Sequence, residues 1–211
     1  IRVYAGHSGW VHKAIFNPDG KYILTISYNQ IAKLWETESG KEVRNFKCSG
    51  ESAAFSPDGK YILTSNNDNS AKLWETFSGK EIMTFKGHTK IVLSVTFSPD
   101  GIYILTASSD KTAKLWEIST GKEIRSFSGH SKWISSAVFS PDGKYILTAS
   151  SDNTAKLWET TSGNEIRSFK GHSLWVSSTK FSPEGKIILT ASQDEQVKLW
   201  ETSTGKEIRT Y

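Results

Sequence analysis

A motif of fifteen residues recurs five times along this chain, and its spacing restricts the fold more than any other feature. One copy, at 145–159, is YILTASSDNTAKLWE, and every copy ends in Leu-Trp-Glu. The tryptophans that mark the copies stand 39, 42, 42 and 42 residues apart, at Trp35, Trp74, Trp116, Trp158 and Trp200. A repeat of about 40–45 residues indicates an array in which each unit is one supersecondary structure packed on its neighbours.

The repeats use the whole chain of 211 residues. We therefore expect a single domain over 1–211, in which residues 1–4 form an extra outer strand. Its five units are expected at roughly 5–46, 47–85, 86–127, 128–169 and 170–211.

Each unit is predicted to contain four short β-strands separated by tight turns. All five prolines occupy one of these turns, in sequences such as Ser-Pro-Asp-Gly, where Pro presets φ and Gly accepts a positive φ. The strands carry apolar residues on both faces, such as Ile146 and Leu147 in unit four, so each sheet must lie between two others. The pattern predicts an all-β fold of four-stranded antiparallel blades arranged radially, which is a β-propeller.

The motifs of each unit make the chain similar to the WD40-repeat family over essentially its full length. They are a Gly-His pair that opens a unit, the Ser-Pro-Asp-Gly turn, Ser-x-Asp before the third strand, and Leu-Trp at its end. Glu follows each of these tryptophans, where the family usually has Asp. The resemblance implies five WD40-type repeats, which form either a closed five-blade ring or part of a larger ring, for example one of seven blades.

Closure of the ring is in question because six segments resemble an outer strand. They run from IRVY at 1–4 to EIRTY at 207–211, whereas a closed ring of five blades needs only five. We expect the chain to be a segment of a longer array, whose end faces are covered by further repeats or by a second chain through self-association. The alternative is a ring that tightens to five blades and displaces one end strand.

Units three to five each contain His, Ser and Asp at fixed spacing, which allows two interpretations. One is a hydrolase triad. The other, which the resemblance implies, is a structural network in which Trp donates to Ser, Ser to His and His to Asp. We favour the network and expect no catalytic residue and no enzyme activity, because no exposed pocket or oxyanion site is indicated. Its predicted members are His88, Ser108, Asp110, Trp116, His130, Ser150, Asp152, Trp158, His172, Ser192, Asp194 and Trp200.

Units one and two depart from this pattern. In unit one, Asn29 stands where the later units have Asp. Unit two lacks Gly-His and three residues of its first loop, and Asn66 replaces its Ser, although Asp68 and Trp74 remain. We expect the network not to form in unit two. Its short loop is interpreted as a tolerated deletion, the alternative being a local binding site.

The three remaining tryptophans each lie three residues after a Gly-His pair, and Ile91 takes that place in unit three. Their rings either pack on the adjacent blade or form an exposed aromatic cluster that binds a peptide. The predicted partner-binding rim comprises Trp10, Ile91, Lys132, Trp133, Leu174 and Trp175.

A lysine stands two residues before each repeat tryptophan, which raises a rival hypothesis. With the loop lysines Lys13, Lys90 and Lys132, these residues could bind nucleic acid or another anion. Because Glu follows each Trp, we interpret them as charge-paired at a solvated blade edge. The recurring residues are Lys33, Lys72, Lys114, Lys156 and Lys198.

The expected function is a non-catalytic scaffold that binds other proteins or peptides on the propeller face. Neither nucleic acid nor a membrane is expected as a partner, and no apolar segment approaches the length of a membrane span. No metal or cofactor is predicted, since Cys48 is the only cysteine and no loop clusters oxygen ligands. The single cysteine and the lack of glycosylation sequons favour the cytoplasm.

Overall fold

The computed structural model describes residues 3–211. These residues form twenty β-strands in five antiparallel four-stranded sheets. This part of the chain has no helix, and so none that could cross a membrane. The all-β prediction is confirmed, and the five sheets are the blades of a β-propeller.

The blades are numbered 1 to 5 along the chain, and each contains four consecutive strands. Blade 1 contains β1 (Val11–Phe16), β2 (Tyr22–Ser27), β3 (Ile31–Glu36) and β4 (Glu42–Lys47). Blade 2 contains β5 (Ala53–Phe55), β6 (Tyr61–Ser65), β7 (Ser70–Glu75) and β8 (Glu81–Lys86). Blade 3 contains β9 (Val92–Phe97), β10 (Tyr103–Ser108), β11 (Thr112–Glu117) and β12 (Glu123–Ser128). Blade 4 contains β13 (Ile134–Phe139), β14 (Tyr145–Ser150), β15 (Thr154–Glu159) and β16 (Glu165–Lys170). Blade 5 contains β17 (Val176–Phe181), β18 (Ile187–Ser192), β19 (Val197–Glu201) and β20 (Glu207–Thr210).

The strand register explains why each blade is apolar on both faces. In blade 4, Ile146 pairs with Trp158 and Leu147 with Leu157 across β14 and β15. Because successive side chains point to opposite faces, the first pair faces blade 3 and the second faces blade 5. Each inner blade therefore buries both faces of its sheet.

A Pro-containing turn joins the first two strands of every blade, with the sequence Ser-Pro-Asp-Gly in blades 2 to 4, Asn-Pro-Asp-Gly in blade 1 and Ser-Pro-Glu-Gly in blade 5. In blade 4 the backbone N–H of Gly143 donates to the carbonyl of Ser140 at 2.9 Å, with a φ of +71° at the glycine. The Ser140 hydroxyl donates to Asp142 at 2.6 Å and accepts the backbone N–H of Tyr145 at 2.9 Å. The five turn prolines surround one mouth of the central channel.

Consecutive blades are joined by an apolar cluster and by a long outer side chain. Between blades 3 and 4, the ring centroids of Phe127 and Trp158 lie 6.0 Å apart. Arg125 also reaches across this joint and donates to the carbonyl of Ser162 at 2.8 Å. Gly163 has a φ of +76°, and a Cβ atom there would lie 2.5 Å from Cδ of Arg125, so any other residue would strain the turn and displace the arginine. Apolar clusters link each of the four successive pairs of blades.

The outward faces of blades 1 and 5 expose positions that the inner joints bury. Phe16 of blade 1 is 64% exposed, whereas the equivalent Phe97 of blade 3 is 7% exposed. Leu189 of blade 5 is 38% exposed, whereas Leu147 of blade 4 is fully buried. Within residues 3–211, no apolar cluster joins blade 5 to blade 1. The structure thus shows four joints and no closure, and a longer array stays a prediction.

The predicted outer strand at 1–4 lies partly outside the described residues, which begin at Val3. Neither Val3 nor Tyr4 belongs to a strand. The ring of Tyr4 packs edge-on against Trp35 at 6.0 Å, as that of Phe46 does against Trp74. Its hydroxyl donates to the carbonyl of Thr37 at 3.0 Å. Tyr4 therefore occupies the place that the outer strand of a preceding blade would fill.

Candidate functional site

A chain of side-chain hydrogen bonds runs through blade 4 from its third strand to its first loop. Trp158 Nε1 donates to Thr148 Oγ1 at 2.8 Å. Thr148 Oγ1 lies 2.8 Å from His130 Nε2, and His130 Nδ1 lies 2.8 Å from an oxygen of Asp152. Both contacts are satisfied when a neutral imidazole carries its proton on Nδ1 and accepts the threonine hydroxyl at Nε2.

Blades 3 and 5 contain the same chain of bonds. The Trp to Thr, Thr to His and His to Asp distances are 2.9, 2.7 and 2.7 Å in blade 3. In blade 5 all three are 2.8 Å. The members are Trp116, Thr106, His88 and Asp110 in blade 3, and Trp200, Thr190, His172 and Asp194 in blade 5.

The prediction that a serine carries the middle of this network was wrong. Ser150 Oγ instead donates to the carbonyl of Lys132 at 3.3 Å and accepts the N–H of Asp152 at 3.1 Å. The reason is register, since Ile146 pairs with Trp158 and Ser150 lies four residues further, about 13 Å along the strand. The same correction applies to the equivalent serines, Ser108 and Ser192.

The sequence did contain a signal for the threonine. A Thr stands ten residues before the repeat tryptophan in all five units, whereas the Ser is absent from unit two. Two residues after the position paired with Trp, a side chain on the same face is a near diagonal neighbour of the indole. The five threonines are Thr25, Thr64, Thr106, Thr148 and Thr190.

The carboxylate at the end of the network is held by several donors. Asp152 accepts the backbone N–H of Ser131 at 3.0 Å, and the N–H and hydroxyl of Thr154 at 3.1 and 2.6 Å. Burial alone would raise the pKa of Asp152, but hydrogen bonds from His130 and Thr154 outweigh it and hold that pKa well below its usual range. In blade 3, burial lowers the pKa of His88 despite the neighbouring Asp110. The network of blade 3 therefore joins a carboxylate to a neutral imidazole at pH 7.

This geometry does not suit a hydrolase. Thr106 and Ser108 are both fully buried, so a substrate carbonyl cannot reach either hydroxyl. Ser108 donates to the carbonyl of Lys90 at 2.9 Å and not to an imidazole. The His, Ser and Asp sets are thus arranged to hold strands and loops together. Over residues 3–211, no three His, Cys, Asp or Glu side chains are grouped to hold a metal ion.

Blade 1 contains an incomplete version of the network. His7 Nε2 and Trp35 Nε1 each lie 2.7 Å from Thr25 Oγ1. Because Asn29 replaces the aspartate, His7 Nδ1 is buried without a hydrogen-bond partner among residues 3–211.

Blade 2 keeps only the first bond of the network, from Trp74 Nε1 to Thr64 Oγ1 at 2.9 Å. The full network does not form there, as expected, and this one bond remains because its two partners lie on adjacent strands and do not involve the shortened loop. With no histidine in that loop, Asp68 keeps only the bonds within its own turn, from the N–H and hydroxyl of Ser70 at 3.2 and 2.5 Å. Asn66, which replaces the serine, accepts only a long contact of 3.5 Å from the N–H of Ser49.

The structure brings two of the rim tryptophans together across the joint between blades 4 and 5. The ring centroids of Trp133 and Trp175 lie 5.1 Å apart with an interplanar angle of 32°. Trp133 is 39% exposed, and Leu174 beside Trp175 is exposed as well. The Trp175 indole N–H is buried and has no hydrogen-bond partner in the described part of the chain.

A backbone hydrogen bond beside the network holds each member of this aromatic pair. The carbonyl of Trp133 accepts the N–H of Ser151 at 3.0 Å, and that of Trp175 accepts the N–H of Gln193 at 2.9 Å. Both donors directly precede a network aspartate. Ile91 holds the equivalent exposed place on blade 3, where its carbonyl accepts the N–H of Ser109. Trp10 is exposed on blade 1, and none of the aromatic pairs found over 3–211 joins it to another tryptophan.

The recurring lysines are charge-paired, although with a different glutamate from the one predicted. Lys114 Nζ lies 2.9 Å from both carboxylate oxygens of Glu123, nine residues along the chain, and the other four blades have the same pair. Glu117, the residue after the tryptophan, instead accepts the hydroxyl of Thr120 in the following turn. Lys13 lies on β1 and not in the Gly-His loop.

Comparison with known families accounts for the repeat. A family model described as WD domain, G-beta repeat matches residues 1–36, 40–75, 79–117, 121–159 and 163–201. Each match ends in the third strand of a blade, so most of them begin near the outer strand of the blade before and span a joint. Repeats of this kind generally mediate protein–protein interactions, and the proteins that contain them are typically non-catalytic scaffolds. Because the five matches cover most of the chain, this protein belongs to the WD40-repeat family.

Proposed function

We propose that this protein is a non-catalytic scaffold that binds a peptide segment of a partner protein at one end of its blades. The binding site is the tryptophan surface, defined as Lys132, Trp133, Leu174 and Trp175. The neighbouring pair of indoles, Trp133 exposed and Trp175 half-buried, carries the proposal, because tryptophan supplies a large contact area at low cost in side-chain entropy.

The order of the loops below the tryptophan surface supports a binding role. Asp152 accepts a hydrogen bond from the N–H of Ser131, and the hydroxyl of Ser150 donates one to the carbonyl of Lys132. Both bonds fix the loop immediately before Trp133. A surface that is already ordered in the free protein loses little entropy when a partner binds.

The pairing of the lysines favours a protein partner over nucleic acid. A nucleic-acid site needs cations that are free to neutralise phosphates. Each lysine of the recurring set is already bound to a glutamate of the neighbouring strand, as Lys156 is to Glu165 at 2.6 Å.

The test is a selection of peptides from a displayed library against the wild-type protein, followed by affinity measurements on two double variants. Trp133→Ala with Trp175→Ala should weaken the selected peptides by tenfold or more. The matched control is Ile124→Ala with Ile166→Ala, which removes two exposed apolar side chains from outer strands and should leave affinity unchanged.

The melting temperature separates binding from packing. We expect the tryptophan double variant to stay within about 4 °C of wild type, which corresponds to about 1 kcal/mol for a chain of this size. Unchanged peptide affinity would contradict the proposal. A much larger fall in melting temperature would show that the two rings are packing residues.

A further inference from the structure

The first strands of all five blades surround a central channel with a cavity of about 520 Å³. Two layers of side chains line it, each with one residue from every blade. The upper layer, nearer the tryptophan surface, consists of Lys13, Ser52, Ser94, Ser136 and Ser178. The lower layer consists of Ile15, Ala54, Thr96, Val138 and Lys180.

Each layer contains one lysine that departs from the repeat. Four blades have serine in the upper layer, and only blade 1 has lysine. In the lower layer the other blades have Ile, Ala, Thr or Val, and only blade 5 has lysine. Because the blades fold with small or apolar residues at these places, the fold does not require Lys13 or Lys180. Both departures place an ammonium group in the channel.

These two ammonium groups lack a carboxylate partner. The residues that line the channel include no Asp or Glu. The ion pairs found over residues 3–211 include neither Lys13 nor Lys180, whereas each recurring lysine outside the channel has its glutamate. Among residues 3–211, the one polar contact of Lys13 is a long hydrogen bond of 3.5 Å to the hydroxyl of Ser52.

The surroundings of Lys13 favour a negative charge. Burial lowers the pKa of Lys13, and the nearby charge of Lys180 lowers it further. Cys48 is also close, but burial raises the pKa of its thiol to about 11, so it offers no countercharge at pH 7. A bound anion would supply the negative charge that no neighbouring side chain provides to Lys13.

We propose that the channel binds an oxyanion, a carboxylate or phosphate group, held by Lys13 and Lys180. The hydroxyls of Ser94, Ser136 and Ser178 line the same cavity and provide further donors. The group comes either from a free small anion or from an acidic side chain of a peptide that enters the channel. This site is separate from the tryptophan surface and does not depend on it.

Calorimetric titrations at low ionic strength with two probes test the proposal. One probe is inorganic phosphate, and the other is an end-capped peptide of Glu and Ser residues. Wild-type protein should bind at least one of them saturably. Lys13→Ser with Lys180→Val, which restores residues found in the other blades, should weaken that binding by about tenfold or more. The Trp133→Ala, Trp175→Ala variant should still bind phosphate.

The matched control removes two positive charges elsewhere. Lys60→Ser with Lys144→Val changes exposed turn lysines and should leave both affinities unchanged. Saturable binding of phosphate identifies a free anion as a ligand, and binding of the peptide alone identifies an acidic side chain. Equal affinity in the Lys13, Lys180 variant would overturn the proposal, as would the absence of saturable binding for both probes. If the double variant does not fold, the single variant Lys180→Val is titrated in its place, and weaker binding of the same probe is again expected.

Discussion

Blades 2 and 4 share one strand order but differ in how much of the hydrogen-bond network they contain. Blade 4 has the complete set of Trp158, Thr148, His130 and Asp152, whereas blade 2 has only the bond from Trp74 to its threonine. The first strand of blade 2 is also three residues long, against six in blade 4. Both blades nevertheless bury their tryptophan.

The difference separates two tasks within the network. The Trp to Thr bond joins the third strand to the second and occurs in every blade, so it belongs to the sheet itself. The His to Asp bond joins the first loop to the turn before the third strand. In blades 3 to 5, where it is complete, it ties down a loop that carries an exposed apolar residue such as Trp133, and in blade 2, where it is absent, the loop is short. Blade 1 lacks the bond but keeps the full loop and an exposed Trp10, so the bond holds the loop without being required for its length. The second half of the network therefore acts on the first loop and not on the sheet.

Removal of the threonine hydroxyl should have the largest effect and should be unequal in the two blades. Thr148→Val leaves both the Trp158 N–H and His130 Nε2 buried without a partner, at a cost of about 2–4 kcal/mol. Thr64→Val leaves only the Trp74 N–H unpaired and should cost about 1–2 kcal/mol. Denaturant unfolding measures both free energies, and equal losses would show that His130 gains nothing from the hydroxyl.

Removal of the aspartate should give a smaller contrast in the same direction. Asp152→Ala leaves the imidazole N–H and two backbone N–H groups without their acceptor, and should cost about 1–3 kcal/mol at pH 7. Asp68→Ala removes only bonds within its own turn and should cost under about 1 kcal/mol.

Low pH should remove the contribution of Asp152 to the free energy of unfolding. Its pKa is lower in the folded than in the unfolded protein, so its stabilisation is complete above the unfolded value of about 4 and is lost as the pH falls through the folded value. The difference in unfolding free energy between wild type and Asp152→Ala should therefore shrink below about pH 4. A difference that is constant down to pH 2 would exclude a charged carboxylate in the network.

The smallest expected effect is a gain at the turn after the aspartate. Lys111 has a φ of +73° in the position where Asn153 has +71°, and Asn153 also donates to the carbonyl of Ser173 in the next blade at 2.9 Å. Lys111→Asn should therefore stabilise by about 0.5–1 kcal/mol, through better backbone conformation and one new bond.

Blade 5 provides the control for this gain. Within residues 3–211 no blade packs on the free face of blade 5, so in this chain Glu195→Asn at φ +66° gains no such bond, and only the conformational part of a few tenths of a kcal/mol should remain. Thermal unfolding of both variants separates the conformational contribution to stability from that of the hydrogen bond. Equal increases in stability would show that the bond across the joint contributes nothing.

The sequence predicted the fold well because every unit is built from contacts close in sequence. Turns such as Pro141 to Gly143 and the spacing of the tryptophans define each hairpin locally. The serine in the network was mistaken because Ser150 and Thr148 both precede Trp158 at the spacing found in most units, and the register of β14 against β15 is what places Thr148 beside the indole. The glutamate partner of each lysine was missed for a similar reason, since it stands across a hairpin on the fourth strand.

The channel could not be predicted from the chain alone. Lys13 and Lys180 are visible as departures from the repeat, but they stand at opposite ends of the sequence. Only the arrangement of β1 and β17 around one cavity shows that their side chains share it.

Four joints among five blades leave the blades unequal in how readily they open. Blade 3 packs against a neighbouring blade on both faces, whereas blade 5 packs on one face only. Leu189 on the other face of blade 5 is already partly exposed to solvent. Local opening should therefore begin at the end blades, and amide hydrogens there should exchange faster than those at the centre. Trp133 and Trp175 lie on either side of the last joint, so a peptide bound to both indoles would tie blade 5 to blade 4 and slow that exchange.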